Sequence, residues 1–194
     1  MRAGEEADGD LNREWEIGEL KRLSTKTSQN SRDFHYLYCM KQRLYIDTSV
    51  FGGYFDEEFS EYTKPLFERL QNGEFKLLFS TVTQDELNSA PERVKNLVVS
   101  LKAENTEFME INDEVVELAT NYIEERVVGQ TSFADCLHIA LATINRADYL
   151  ISWNFKHIVN VQRIRGYNAI NIKNGYKELE IRSPRDFMTY EDNN

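Results

Sequence analysis

Residues 43–53, Arg43-Leu44-Tyr45-Ile46-Asp47-Thr48-Ser49-Val50-Phe51-Gly52-Gly53, constrain the fold more than any other part of the chain. Leu44, Tyr45 and Ile46 form a short apolar run that Asp47-Thr48-Ser49 halts before Gly52-Gly53. Such a run reads as a buried strand feeding a loop. A carboxylate at the end of a buried strand is costly unless something pairs with it. In open α/β sheets, ligands bind just outside the carboxyl ends of strands, and Asp47 falls at such a place. On this stretch alone, a turn or a cap for the next element explains Asp47 and Thr48 as well as a ligand site does.

Downstream, apolar runs with strand character alternate with helical stripes. A helix is expected over 57–70, where Phe59, Tyr62, Leu66, Phe67 and Leu70 share a face. Pro65 fits such a helix only in an early turn, and Asn72-Gly73 closes it. A second strand is expected at 75–80. Thr83-Gln84-Asp85-Glu86 spells a capping box that opens a helix at Gln84, and Ser89-Ala90-Pro91-Glu92 restarts it to about residue 102. A short strand at 107–111 and a helix over 114–127 follow. Ser132-Phe133-Ala134-Asp135 opens a helix to about Asn145, and 149–152 reads as a strand. The pattern ends in a short helix over 159–167, a last strand at 168–172 and an extended tail from Glu178 to Pro184. Strands alternating with helices give a three-layer α/β/α sandwich around a central, mostly parallel sheet.

Residues 1–39 differ in character. They begin acidic, hold one amphipathic stretch at 14–23 and pass through a polar linker at 24–30. The expected division is a flexible N-terminal appendage at 1–39 and a folded domain at 40–194, with Met40 as the start of the domain and of the natural gene product. Cys39 and Cys136 lack CxxC spacing, and His35, His138 and His157 are scattered, which excludes a cysteine-rich zinc site. No apolar span reaches ~20 residues and no apolar leader opens the chain, so a cytoplasmic protein without a membrane anchor is expected. The net charge of −10 argues against nucleic-acid binding through a broad basic face. It leaves room for a nuclease that holds cations with carboxylates.

Asp47 ends the first strand, Glu86 and Asp135 lie in first turns of helices, and Asn154 follows the strand at 149–152. In a parallel sheet all four positions fall on one rim. Three carboxylates there repel one another unless a cation neutralises them, and hard oxygen donors suit Mg²⁺ or Mn²⁺. Glu86 and Asp135 also have a structural explanation, because each stands three residues after a Thr or Ser cap, where an acid is favoured in any case. That explanation does not extend to Asp47 and Asn154. His138, one turn beyond Asp135, reads as a satisfied, semi-buried histidine rather than a base. No serine nucleophile motif, glycine-rich phosphate loop or H-E-x-x-H occurs.

The order Leu44-Tyr45-Ile46-Asp47-Thr48-Ser49-Val50, Thr83-Gln84-Asp85-Glu86-Leu87, Ala134-Asp135-Cys136-Leu137-His138-Ile139-Ala140 and Leu150-Ile151-Ser152-Trp153-Asn154-Phe155 resembles the PIN domain. The branch it is most similar to is the bacterial VapC-type toxins. The resemblance spans residue 40 to the C-terminus. It implies the three-layer sandwich and an acidic cluster that binds Mg²⁺ or Mn²⁺ to cut RNA. Carried over residue by residue, Asp47, Glu86 and Asp135 match the metal ligands, and Asn154 completes the catalytic set where many members place a fourth acid. Thr48, Ser49 and Ser152 match supporting hydroxyls. Lys156, His157, Arg163 and Arg165 are the candidates for RNA phosphate contacts, with Arg146 further off. Trp153 and Phe155 are aromatic enough to stack a base, although a core role suits them better.

The implied function is a metal-dependent endoribonuclease acting as the toxin of a type II toxin-antitoxin pair. Its partners would be RNA, an antitoxin protein and a second copy in a homodimer. The exposed aromatic segment Tyr54, Phe55, Phe59 and Tyr62 is the expected antitoxin face. Two alternatives stand beside it: a non-catalytic PIN-like module that binds RNA or protein, for which Asn154 would mark a decayed site, and a phosphatase or flap-type DNA nuclease.

Overall fold

The computed structural model of the chain describes residues 41–191. The expected appendage, its helix and linker, His35, Cys39 and the domain start at Met40 lie outside the described residues. Five strands, β1 (Arg43–Ile46), β2 (Lys76–Ser80), β3 (Thr106–Met109), β4 (Tyr149–Ile151) and β5 (Glu180–Arg182), form one sheet in the order β3-β2-β1-β4-β5. Every pairing is parallel, from Leu44 opposite Leu77 to Leu150 opposite Ile181.

The helices are α1 (Thr48–Gly53), α2 (Ser60–Gln71), α3 (Thr81–Asn88), α4 (Glu92–Val99), α5 (Asp113–Glu124), α6 (Phe133–Ile144), α7 (Val161–Lys173) and α8 (Pro184–Glu191). Side chains alternate across a strand, so a strand buried on both faces feeds two cores. Leu44 and Ile46 of β1 join Leu77 and Ile151 in a core with residues of α1, α2, α4 and α8. Tyr45 joins Leu78, Leu150 and Ile181 in a second core with residues of α5, α6 and α7. Leu44 and Ile46 are almost wholly buried, worth about 1.5–3 kcal/mol each, which explains why this strand sits at the centre. The expected three-layer sandwich is the observed one.

Because all strands run the same way, their carboxyl ends share a rim. The chain leaves β1 for β2 on one side and reaches β4 on the other, so the order reverses at β1. Such a reversal opens a crevice at the carboxyl ends of the two diverging strands, here β1 and β4.

Several local expectations are corrected. Residues 48–53 form helix α1 rather than a loop. Pro65 is the sixth residue of α2, not part of its opening turn. Helix α3 starts at Thr81, and its cap is Ser80, whose hydroxyl accepts from the Thr83 amide at 3.2 Å. The Thr83–Glu86 capping box is therefore not formed, and neither is the second, since Pro91 caps α4 without a side-chain bond. Ser132 likewise makes no cap bond to α6. Residues 168–172, expected as the last strand, continue α7. The last strand is Glu180–Arg182, and α8 follows it where only a turn was expected.

Candidate functional site

Asp47 lies at the end of β1, and its amide donates to the Ile151 carbonyl at 3.0 Å, fastening it to β4 across the crevice. Its side chain makes no cap bond to α1, which removes the capping explanation. The carboxylate is buried and instead accepts at Oδ2 from Ser49 Oγ (2.5 Å) and Ser152 Oγ (2.7 Å). Those hydroxyls are themselves held: Ser49 Oγ accepts from the Trp153 amide at 3.0 Å and Ser152 Oγ from the Asn154 amide at 2.9 Å. Thr48 Oγ1, next in sequence, is buried and makes no well-formed hydrogen bond, although Thr48 lies near enough to Glu86 to help hold its carboxyl down. Ser49 and Ser152 thus support Asp47 directly, whereas Thr48 makes no such bond.

Glu86 projects from the second turn of α3, too far into the helix for a capping role. Its Oε2 is 3.2 Å from His138 Nε2, and the same nitrogen is 3.5 Å from Asp47 Oδ1. The imidazole is 2% exposed, and its Nδ1 is 2.7 Å from the Tyr45 hydroxyl, which is 2.7 Å from Ser80 Oγ. The expectation of a semi-buried, satisfied histidine is half right, because His138 is satisfied but fully buried between the two acids. Its contact with Glu86 and Asp47 depends on how α6 packs beneath β1. The signal in the sequence is its place one turn from Asp135.

Asp135, in the first turn of α6, is half-buried, and its Oδ1 accepts from Asn154 Nδ2 at 2.8 Å. Asn154 is tied at three points, since its Oδ1 also accepts from the His157 amide at 3.0 Å. Asp47, Glu86 and His138 offer donor atoms within 4.8 Å of one another. Asp135 stands beside that group and feels the charges of all three.

These neighbours perturb each other. Burial raises Glu86, but the His138 hydrogen bond and charge outweigh it and hold the carboxyl below its ordinary range. Burial lowers His138, yet Glu86 and then Asp47 reverse this and push the imidazole upward. Asp135 is raised, first by burial and then by Asp47 and Glu86, against the pull of His157. A buried acid and an exposed one on an imidazole, with a third acid adjacent, form a donor set of oxygen and nitrogen with surplus negative charge. That set fits a divalent cation.

The expected phosphate contacts divide. Lys156 is exposed on the loop after β4, and His157 lies beside it with Nδ1 3.1 Å from Ser132 Oγ and in contact with Arg163 Nη1. Arg163 is half-buried and Arg165 exposed on the first turns of α7. Arg146 caps the far end of α6, where its carbonyl accepts from Arg43, so it belongs to the opposite rim. Trp153 is a core residue whose Nε1 donates to Thr63 Oγ1 at 3.0 Å, while Phe155 is 44% exposed. The aromatic segment expected to be exposed is half-buried: Tyr54 packs edge-on against Phe67, and Phe59 lies 4.6 Å from the Trp153 ring.

The family model of the PIN domain matches residues 44–160, which contain Asp47, Glu86, Asp135 and Asn154. The chain belongs to the PIN domain family. PIN domains are generally nucleases. No protein of curated function matches this PIN domain. Among solved structures it is similar to VapBC2 from Rickettsia felis bound to a DNA fragment from its promoter. That likeness has 13% identity and a TM-score of 0.45, covering 73% of this chain and 98% of the other. It is also similar to DNA-bound VapBC from Salmonella typhimurium, at 14% identity and TM-score 0.47, covering 74% and 98%. Among the described residues, no helix is long and apolar enough to cross a membrane.

Proposed function

We propose that this PIN domain is a Mg²⁺- or Mn²⁺-dependent endoribonuclease that hydrolyses RNA phosphodiester bonds as the toxin of a type II toxin-antitoxin pair. The observation that carries the nuclease reading is the meeting of Asp47 and Glu86, from separate strand–helix junctions, at the carboxyl-end rim of the parallel sheet. Asp135 and Asn154 border the same place. The toxin reading rests on the family alone, through the resemblance of the four motif segments to the VapC-type branch of PIN domains. An antitoxin protein, a second copy of the chain and a cytoplasmic location belong to that reading.

In this mechanism Asp47 and Glu86 would hold the ion, with Asp135 completing its acidic surroundings. A divalent ion bound there supplies Lewis acidity, neutralising charge on the phosphodiester and making water a better nucleophile. Ser49 and Ser152 fix the Asp47 carboxylate through Oδ2, which leaves Oδ1 turned toward His138 Nε2. Asn154 orients Asp135 through its amide nitrogen without adding a fourth negative charge. Lys156 and His157, on the loop that carries Asn154, are the nearest candidates to contact the RNA backbone.

The test is cleavage of end-labelled single-stranded RNA by the purified chain with Mg²⁺ or Mn²⁺, with chelator and matched DNA as controls. Metal-dependent RNA cleavage that Asp47→Asn and Asp135→Asn abolish, with circular dichroism unchanged, supports the reading. RNA left intact while metal binds favours the non-catalytic module, and DNA cut in preference to RNA favours a DNA nuclease.

A further inference from the structure

The imidazole at the centre of the site has no role in the reading above. His138 Nε2 lies 3.2 Å from Glu86 Oε2 and 3.5 Å from Asp47 Oδ1. Two donors that share one ion at about 2.1 Å stand roughly 3.0 Å apart at octahedral angles and about 3.4 Å apart at tetrahedral ones. The two spacings to Nε2 match those of neighbours in one coordination sphere, and the three donor atoms lie within 4.8 Å of one another.

We propose that His138 Nε2 is itself a ligand of the ion held by Asp47 and Glu86, making a mixed imidazole–carboxylate centre that prefers Mn²⁺ to Mg²⁺. This rests on the metal-dependent reading and specifies its site. The far side of the ring is arranged for it. Nδ1 faces the Tyr45 hydroxyl at 2.7 Å, that hydroxyl faces Ser80 Oγ at 2.7 Å, and Ser80 Oγ faces Thr83 Oγ1 at 3.1 Å. With an ion bound, a relay in which Nδ1–H donates to Tyr45, Tyr45 to Ser80 and Ser80 to Thr83 would fix the tautomer that leaves the Nε2 lone pair toward the acids. Such outer partners orient histidines that bind metals. Access is through Glu86, whose side chain is 38% exposed, because Asp47 and His138 are buried. Mn²⁺ shares the oxygen donors that suit Mg²⁺ but, as the first member of the transition series whose affinity for nitrogen sites then rises, it accepts an imidazole more readily than Mg²⁺ does.

The test is pulsed EPR of Mn²⁺ bound to the full, untagged chain, prepared with natural-abundance and with ¹⁵N-labelled histidine. The expected result is a directly coordinated nitrogen signal whose frequency shifts with the label. In parallel, His138→Gln should weaken Mn²⁺ binding 10- to 100-fold in calorimetry and Mg²⁺ binding less than about 3-fold. Mn²⁺ bound without a nitrogen signal overturns the inference and leaves the metal-dependent reading standing. A wild-type chain that binds no Mn²⁺ overturns both. If His138→Gln does not fold, the labelled wild type decides alone.

Discussion

Two adjacent glycines respond oppositely to the same added methyl group. Gly52 and Gly53 both lie in α1 and neither has a positive φ, so alanine meets no backbone strain at either. A Cβ at Gly52 meets nothing within 4 Å. There Ala should stabilise by about 0.5–1 kcal/mol through the lower cost of ordering its backbone in a helix. A Cβ at Gly53 would lie 2.8 Å from Cδ1 and Nε1 of Trp153 and 3.2 Å from Phe59 Cβ. The indole cannot retreat cheaply, because it is buried, bonded to Thr63 Oγ1 and packed against the Phe59 ring. Overpacking of that kind costs about 1–3 kcal/mol. The helix gain is common to both variants, so their difference isolates the overpacking. At about 2–4 °C per kcal/mol for a domain of this size, the melting temperatures should separate by roughly 2–12 °C. Circular dichroism melts of Gly52→Ala and Gly53→Ala, with urea unfolding in parallel, measure it. Trp153 also donates its amide to Ser49 Oγ, which holds Asp47, so Gly53→Ala should lose cleavage activity even below its melting point. Equal stabilisation by both substitutions would refute the packing argument.

Two further predictions concern the rim. Asn154→Asp replaces the amide that donates to Asp135 with a second carboxylate at the same distance. It should lower stability by about 1–2 kcal/mol in chelator, and saturating Mn²⁺ should restore more of that loss than it adds to wild type, read as thermal shifts with and without the ion. Ser152→Ala deletes a buried hydroxyl that bonds both Asp47 and the Asn154 amide. Unfolding should show a loss of about 1–3 kcal/mol, and cleavage should fall further than in a Thr189→Ala control on α8.

How far the chain could be read before its structure depended on which contacts are local. Leu44-Tyr45-Ile46 announced a strand because all three side chains are buried, on two faces. Residues 168–172 misled because Ala169-Ile170-Asn171-Ile172 alternates like a strand. In α7 the inward residues are Tyr167, Ile170 and Asn171, the last a buried amide bonded to Thr143 Oγ1 and to the Tyr122 hydroxyl. A polar side chain in the core breaks the pattern that periodicity relies on. The true last strand was too brief to read, with Ile181 its one buried residue. Glu86 was found at the right place for an incomplete reason: the cap ascribed to Thr83 belongs to Ser80, so helix capping no longer accounts for the acid. Asp135 and Asn154 were placed on one rim by topology alone, but their hydrogen bond was not readable. His138 looked like a local packing residue because its partners lie 91 and 52 positions away in the chain, across two other elements.

The most direct trial of the account is calorimetric titration of Mn²⁺ into the wild-type chain and into Asp47→Asn and Glu86→Gln. Acids from distant junctions that share one ion should give a single site per chain, lost or weakened at least tenfold in each variant while both remain folded. Binding that either substitution leaves unchanged would contradict the claim that these side chains hold a common metal.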